Sequence, residues 1–159
     1  MNIWLQIMTR ELCRSYMKDF VPDPALFQNP SEYKPYIYDE ARCDAYFDRH
    51  AALKRVHLAV MLDEEAIGEI ILKKINRVEK HCTLGISMKN SCWINKGYGS
   101  VAEKLALEYA FRQLELETVY ADTLLNNIRS QRVLMKNGFR EITQDNTFRY
   151  YRCDKPVNP

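Results

Sequence analysis

A chain of 159 residues, 47% hydrophobic and 28% charged, is long enough for one domain with a sizeable core and too apolar for extensive disorder. Its formal net charge of +2 argues against a general nucleic-acid binder. Five scattered cysteines (Cys13, Cys43, Cys82, Cys92, Cys153) contain no CxxC pair, so neither a metal site nor a disulfide framework is expected.

The N-terminal stretch MNIWLQIMTREL is too short and polar for a signal segment, and no run reaches membrane-spanning length. The expectation is a cytoplasmic protein with no membrane partner. Charge is uneven along the chain: residues 1–70 carry 8 Lys/Arg against 12 Asp/Glu, residues 71–159 carry 15 against 9. If the second part holds an anionic ligand, the first suits a cationic one.

Residues 9–20 read as a helix, with Leu12, Tyr16 and Phe20 at four-residue spacing behind Thr9 as N-cap. From Val21 to Tyr38, Pro22, Pro24, Pro30 and Pro35 forbid a regular helix, leaving an ordered loop or a short broken helix. Its aromatics (Phe27, Tyr33, Tyr36, Tyr38, with Phe20 just before) either wall a pocket or pin the loop to the core. Asp39 to Leu53 is a second helix with an imperfect stripe of Ala45, Tyr46, Arg49 and Leu53.

Val56–Leu62 and Ile67–Val78 read as strands of an antiparallel hairpin, and Leu84–Met88 as a third strand. A helix after Gly99 is expected to bury Ala102, Leu105, Ala106, Tyr109, Ala110 and Leu114, flanked by Leu107 and Phe111, with Glu103 and Glu108 in water. Then come a strand at Thr118–Thr123, a helix at Ile128–Lys136 capped by Asn127 and ended by Asn137-Gly138, and a hairpin of Phe139–Thr143 with Thr147–Cys153. The expected unit is a single domain over residues 1–159, with its core at about 9–153.

The segment Asn95-Lys96-Gly97-Tyr98-Gly99-Ser100 joins a strand to a helix. Free N–H groups of a first helical turn and the helix dipole favour an anion there, and glycines let the backbone approach it. A GxxxxGK[ST] phosphate loop is absent. Gly97-Tyr-Gly99-Ser-Val-Ala102 matches a GxGxxA dinucleotide fingerprint, with Asp122 as its ribose acid, but the loop Lys89–Lys96 separates the first glycine from its strand. A dinucleotide-binding domain is therefore the weaker alternative.

The element order and two motifs resemble the GCN5-related N-acetyltransferases over nearly the whole chain. The first motif, Ile94-Asn95-Lys96-Gly97-Tyr98-Gly99, is similar to Gln/Arg-x-x-Gly-x-Gly/Ala, with Ile94 in place of the leading Gln/Arg. The second, Asn127-Ile-Arg-Ser130-Gln-Arg132-Val133 followed by Asn137-Gly138-Phe139, resembles the branch that includes ribosomal-protein alanine acetyltransferases. The resemblance implies an α+β, three-layer α/β/α acyl-CoA N-acyltransferase fold, with a mixed, mostly antiparallel sheet splayed between its fourth and fifth strands.

It also implies acetyl-CoA as co-substrate, with pyrophosphate on the amides of Lys96, Gly97, Tyr98, Gly99 and Ser100 beside Asn95. Pantetheine would run along Ile86, Ser87 and Met88, contacted by Asn127 and Ser130. The acceptor would be a primary amine of a small molecule or a protein N-terminus, and the protein a monomer or homodimer.

Glu69 is the candidate base. Strand alternation places it with Ile67 and Ile71, so it either lines a pocket or sits there in a salt bridge. Where many relatives carry a glutamate on strand four and a tyrosine after the Asn-x-x-Ser element, this chain has Thr83 and Leu134. Ser130, Tyr150 and Tyr151 are then the candidate acids, and a non-catalytic acyl-CoA sensor is the alternative reading. His50, His57 and His81 read as surface or capping histidines, and Cys92 as a free loop thiol.

Overall fold

Runs of β-branched and apolar residues build seven strands into one sheet, ordered β1-β2-β3-β4-β5-β7-β6 in a computed structural model that describes residues 2–157. The strands are β1 (Ile3–Ile7), β2 (Val56–Leu62), β3 (Glu65–Asn76), β4 (His81–Met88), β5 (Thr118–Leu124), β6 (Arg140–Gln144) and β7 (Phe148–Asp154). All neighbours pair antiparallel except β4 and β5. One parallel pair in an antiparallel sheet is incompatible with a doubly wound dinucleotide fold, so that alternative falls. Four strands, not three, precede the glycine turn, because Ile3–Ile7 adds to the β2 edge.

Helices cover both faces. On one lie α1 (Arg10–Lys18) and α2 (Glu40–Ala52), capped by the side chains of Thr9 and Asp39. Two arginines of α1 clamp them: the Arg14 guanidinium bridges both Asp44 oxygens at 2.8 and 2.6 Å and reaches Glu40 at 2.9 Å, and Arg10 reaches Asp48 at 2.6 Å. The face of α2 turned inward is Cys43, Tyr46, Phe47 and His50, spaced three, four and seven apart. Ala45, Arg49 and Leu53 of the expected stripe are exposed instead. Between α1 and α2 the proline-rich loop makes two short 3-10 turns, Pro24–Leu26 and Pro30–Glu32, while Phe20, Tyr36 and Tyr38 pack on this layer's core. These aromatics pin the loop.

The other face carries α3 (Tyr98–Glu108), which widens into a π-helical turn at Tyr109–Gln113, and α4 (Ile128–Lys136). Here sits the larger core: Leu58, Val60, Ile67, Ile70, Leu72, Val119, Ala106 and Leu116 are among its members. Burying each such aliphatic side chain stabilises the fold by roughly 1.5–3 kcal/mol before chain entropy is charged against it.

Strand β3 breaks simple alternation. The β2–β3 register slips by one residue between Val60 and Met61. Ile67 therefore joins Ile70 and Leu72 in the α3 core, while Glu69, opposite Ala59, faces the α1–α2 layer. Ile67 does not share Glu69's face.

Candidate active site

Strands β4 and β5 pair over only three positions, His81–Thr83 against Thr118–Tyr120. Beyond Thr83, β4 stays paired with β3 as far as Met88, and β5 stays paired with β7 as far as Leu124. The sheet thus opens into a wedge whose β4 wall is Leu84–Met88.

The glycine turn closes the top of this wedge. Asn95 and Gly97 both adopt positive φ, 61° and 84°, which reverses the chain and starts α3 directly at Tyr98. At Gly97 this conformation favours glycine. The helix has no side-chain N-cap, so its first-turn amides, those of Gly99 and Ser100 among them, face the opening. A cavity of about 160 Å3 there is lined by Ile86, Ser87, Met88, Asn95, Gly97, Gly99, Ser100, Asn127 and Ser130, with Trp93 and Val133 as apolar walls. The turn provides backbone donors and a dipole for an anion, and the wedge provides an apolar slot behind it.

α4 forms the far wall. Asn127 Oδ1 accepts from the Ser130 amide at 3.2 Å, so the cap and the lining role coexist in one residue. Arg129 pairs with Asp23, which ties the proline-rich loop to α4 beside the cavity, and Leu26 follows it into the lining. Beneath lies a second cavity shared by Ile86, Ser130, Leu134, Ala121 and Thr123. Glu103 lines both cavities and is only 1% exposed, contrary to the expectation that it sees water. Among the described residues its carboxyl accepts one hydrogen bond, from Asn137 Nδ2 at 3.4 Å, and burial pushes it up to about 7.

On the α1–α2 face, Glu69 is 6% exposed and both of its oxygens are engaged. The Tyr46 hydroxyl donates to Oε1 at 2.6 Å, and His57 Nε2 lies 2.7 Å from Oε2. Ser87 Oγ stands 3.5 Å from Oε1 and 3.3 Å from the Tyr16 hydroxyl. Burial, with Glu69's charge behind it, drives the Tyr46 phenol far above its usual range, so Tyr46 remains a donor. His50 packs on His57 with ring centroids 4.6 Å apart, and burial pushes it down to about 4, leaving it neutral. The expectation of surface or capping histidines fails for His50 and His57, since both are buried; His81 pairs with Glu79 near the surface. A third cavity, about 230 Å3, is lined by His50, Arg55, Glu69, Ile71, Lys73 and Gly85. The Arg55 guanidinium meets only His50 there, and among the described residues Lys73 has no ion-pair partner.

Lys96 and Tyr98 flank Gly97 in the glycine turn itself. Lys96 is exposed, its Nζ 6.0 Å from the Trp93 ring, and Tyr98 packs on Trp93. The Tyr150 hydroxyl donates to Asp145 Oδ2 at 2.6 Å across the β6–β7 hairpin and lines none of the three cavities. Tyr151 is buried in the α3 core. Thr83 is the last residue of β4 paired with β5, and Leu134 is buried in the floor of the wedge. Cys92 is an exposed free thiol, whereas the other four cysteines are buried.

A splayed sheet above a glycine-opened helix is the layout of an acyl-CoA transferase, and comparison with known proteins agrees. The acetyltransferase (GNAT) domain matches residues 6–140, so the chain belongs to the GNAT family of acetyl-CoA-dependent acyltransferases. Acetyltransferase PseH of Campylobacter jejuni is 26% identical over 106 residues, which cover 67% of this chain and 64% of that protein, slightly under two thirds of its length. The crystal structure of that N-acetyltransferase, also solved in complex with acetyl coenzyme A, superposes with a TM-score of 0.65 at 23% identity, covering 73% of this chain and 79% of that one. A chimera of Vibrio cholerae spermidine N-acetyltransferase SpeG and hSSAT superposes over 97% of this chain and 96% of its own, with a TM-score of 0.78 at 16% identity. These similarities establish the fold. Among the described residues no His/Cys/Asp/Glu group could hold a metal ion, and no helix is long and apolar enough to cross a membrane.

Proposed function

We propose that the chain works as one N-acetyltransferase domain, carrying an acetyl group from acetyl-CoA to a primary amine by direct attack. The observation that carries this reading is the wedge beyond Thr83, whose cavity gathers Ile86, Ser87, Met88, Gly97, Gly99, Ser100, Asn127 and Ser130. In this reading the amides around Gly97–Ser100 hold the pyrophosphate. The backbone of Ile86–Met88 takes the pantetheine arm as a strand would, with Asn127 and Ser130 on its other side.

Glu69 then serves as the base. An alkylammonium has a pKa of roughly 10 and must lose a proton before it can attack. Glu69 lines the acceptor cavity, where its carboxylate can take that proton, and the His57 ring lies 2.7 Å from its Oε2. Tyr46 and His57 fix the carboxylate's direction, which is the positional half of catalysis. Ser130 remains a lining residue in this scheme. Tyr150, engaged with Asp145, has no part in it.

The acceptor enters beside Arg55 and Lys73. Their charges favour an amine that carries its own anionic group over a polyamine, and they outweigh the acidic bias of residues 1–70 because they line the cavity itself. A protein N-terminus fits only if acidic side chains follow it.

The test combines thermal shift with acetyl-CoA, CoA and NAD with release of CoA thiol against a panel of phosphorylated amines, amino acids, polyamines and N-terminal peptides. Stabilisation by acetyl-CoA and turnover with an anion-bearing amine are expected. Stabilisation by NAD alone would sink the reading. Binding of acetyl-CoA with no thiol release for any amine would make the chain an acyl-CoA sensor.

A further inference from the structure

The departing thiol needs a proton, and the position where many relatives carry a tyrosine is Leu134, an aliphatic side chain in the floor of the wedge. We infer that Glu103 fills this gap as the proton donor to the leaving thiolate, acting from α3 rather than from α4. The inference rests on the acetyl-transfer reading above.

Three observations carry it. Glu103 lines both cavities of the wedge and shares the deeper one with Leu134, Ser130 and Ile86. Its carboxyl has no ion-pair partner among the described residues, and its only hydrogen bond is the weak one from Asn137, whose amide is better used on the Ser100 carbonyl at 3.0 Å. A nearly sealed carboxylate in that position is costly, so the site favours the protonated acid, a group that can give a proton away. Finally, Thr123 Oγ1 is buried in the same cavity lining with no hydrogen-bond partner among the described residues, a second polar group there left open to a ligand.

The placement suits the chemistry. Gly85 and Ile86 line both the deeper cavity and the cavity beside Glu69, so the splayed half of β4 stands between the two carboxyls. The amine approaches from the Glu69 side. Its nitrogen bonds to the acetyl carbon, the carbon–sulfur bond breaks, and the electron pair leaves on sulfur. Glu69 passes the ammonium proton to water before attack and then takes the second proton that the attacking nitrogen sheds, and the thiolate takes the Glu103 proton, giving amide and free thiol. Both carboxyls return to their starting states by exchange with water.

A carboxyl near 7 is the stronger acid beside a thiol of roughly 8.5, so the transfer to sulfur runs downhill. The charged and titratable groups near Glu103 are few. Asp23 and Arg129 neutralise each other on the loop and α4, Lys73 and Asp122 line the deeper cavity from β3 and β5, and Cys153 approaches from β7 with its thiol raised mainly by burial. Asp122 is exposed, which leaves Glu103 as the buried acid of the wedge.

The experiment is the pH profile of kcat, read by thiol release, for wild type and Glu103→Gln, with acetyl-CoA affinity measured by calorimetry on both. The expected result is a wild-type kcat that falls above about pH 7, and a variant with kcat lower by about 10²-fold at pH 6.5, no such limb, and nearly unchanged acetyl-CoA affinity. A variant that keeps the wild-type limb, or loses acetyl-CoA affinity while keeping kcat, overturns the proposal. Infrared difference spectra of wild type test it without a variant: a protonated carboxyl that disappears as pH rises through about 7 supports it, and one already ionised at pH 6 overturns it. If wild type releases no thiol with any amine, the acetyl-transfer reading itself has failed, which is a distinct result.

Discussion

Glu69 and Glu103 are both almost sealed from water, on opposite faces of one sheet, yet their surroundings differ in kind. Glu69 is wrapped in donors: Tyr46 on one oxygen, His57 on the other and Ser87 close by. Among the described residues Glu103 accepts one long hydrogen bond, from an amide that is already engaged. In the proposed scheme this contrast gives one residue type two duties. Hydrogen bonds hold a carboxyl as a directed acceptor, and their absence under burial holds it as an acid.

Breaking the Glu69 side should have the largest effect. Glu69→Gln keeps the shape but removes the base, and kcat/KM for thiol release is expected to fall by ~10²–10⁴, with acetyl-CoA binding retained. His57→Phe should reproduce part of that loss by releasing one oxygen of Glu69. An unchanged rate in both would end the base assignment.

The Glu103 side is tested through stability. The folded chain keeps this proton up to about 7, whereas an exposed carboxyl releases it near 4.5. Between those values the folded state binds more protons than the unfolded one, so stability declines as pH rises, by about 3 kcal/mol once above 7. Glu103→Gln, which never ionises, should therefore gain up to about 3 kcal/mol over wild type near pH 8, and close to nothing near pH 4. Urea denaturation at the two pH values measures this.

Two smaller changes ask whether damage stays on one face. A Cβ at Gly68 would meet the Ser87 carbonyl oxygen at 2.9 Å and Met88 Sδ at 3.0 Å. Gly68→Ala is expected to cost about 1–3 kcal/mol and to shift Ser87, slowing turnover through the Glu69 network. Asn127→Ala removes the α4 cap, for about 1 kcal/mol, and should weaken acetyl-CoA binding while leaving the acceptor's KM unchanged.

Much of this was legible in the chain. Local chemistry marked the glycine turn, the Thr9 and Asn127 caps and most strands, because those signals act within a few residues. What it concealed depends on contacts made at long range. Ile3–Ile7 is a short edge strand with irregular burial, recognisable only once β2 lies beside it. A single-face helix stripe puts Glu103 in water, whereas α3 is covered by the sheet and by α4 together and buries a wider arc. A single bulge moved Ile67 to the opposite core without moving Glu69 off the α1–α2 side. His50 and His57 lie seven residues apart, on a helix and the following strand, and only the α2–β2 packing brings their rings together.

The three-residue seam between β4 and β5 has a mechanical consequence. It joins a four-stranded half of the sheet to a three-stranded half, and it is the shortest pairing in the molecule. Under load or in hydrogen exchange the two halves should part there first, with wedge-facing amides of Leu84–Met88 exchanging ahead of those paired to β3. A ligand bridging the wedge would lengthen the seam. At a hundred times its Kd it would add about 2.7 kcal/mol to global stability, and slowed exchange in those five residues would map where it lies.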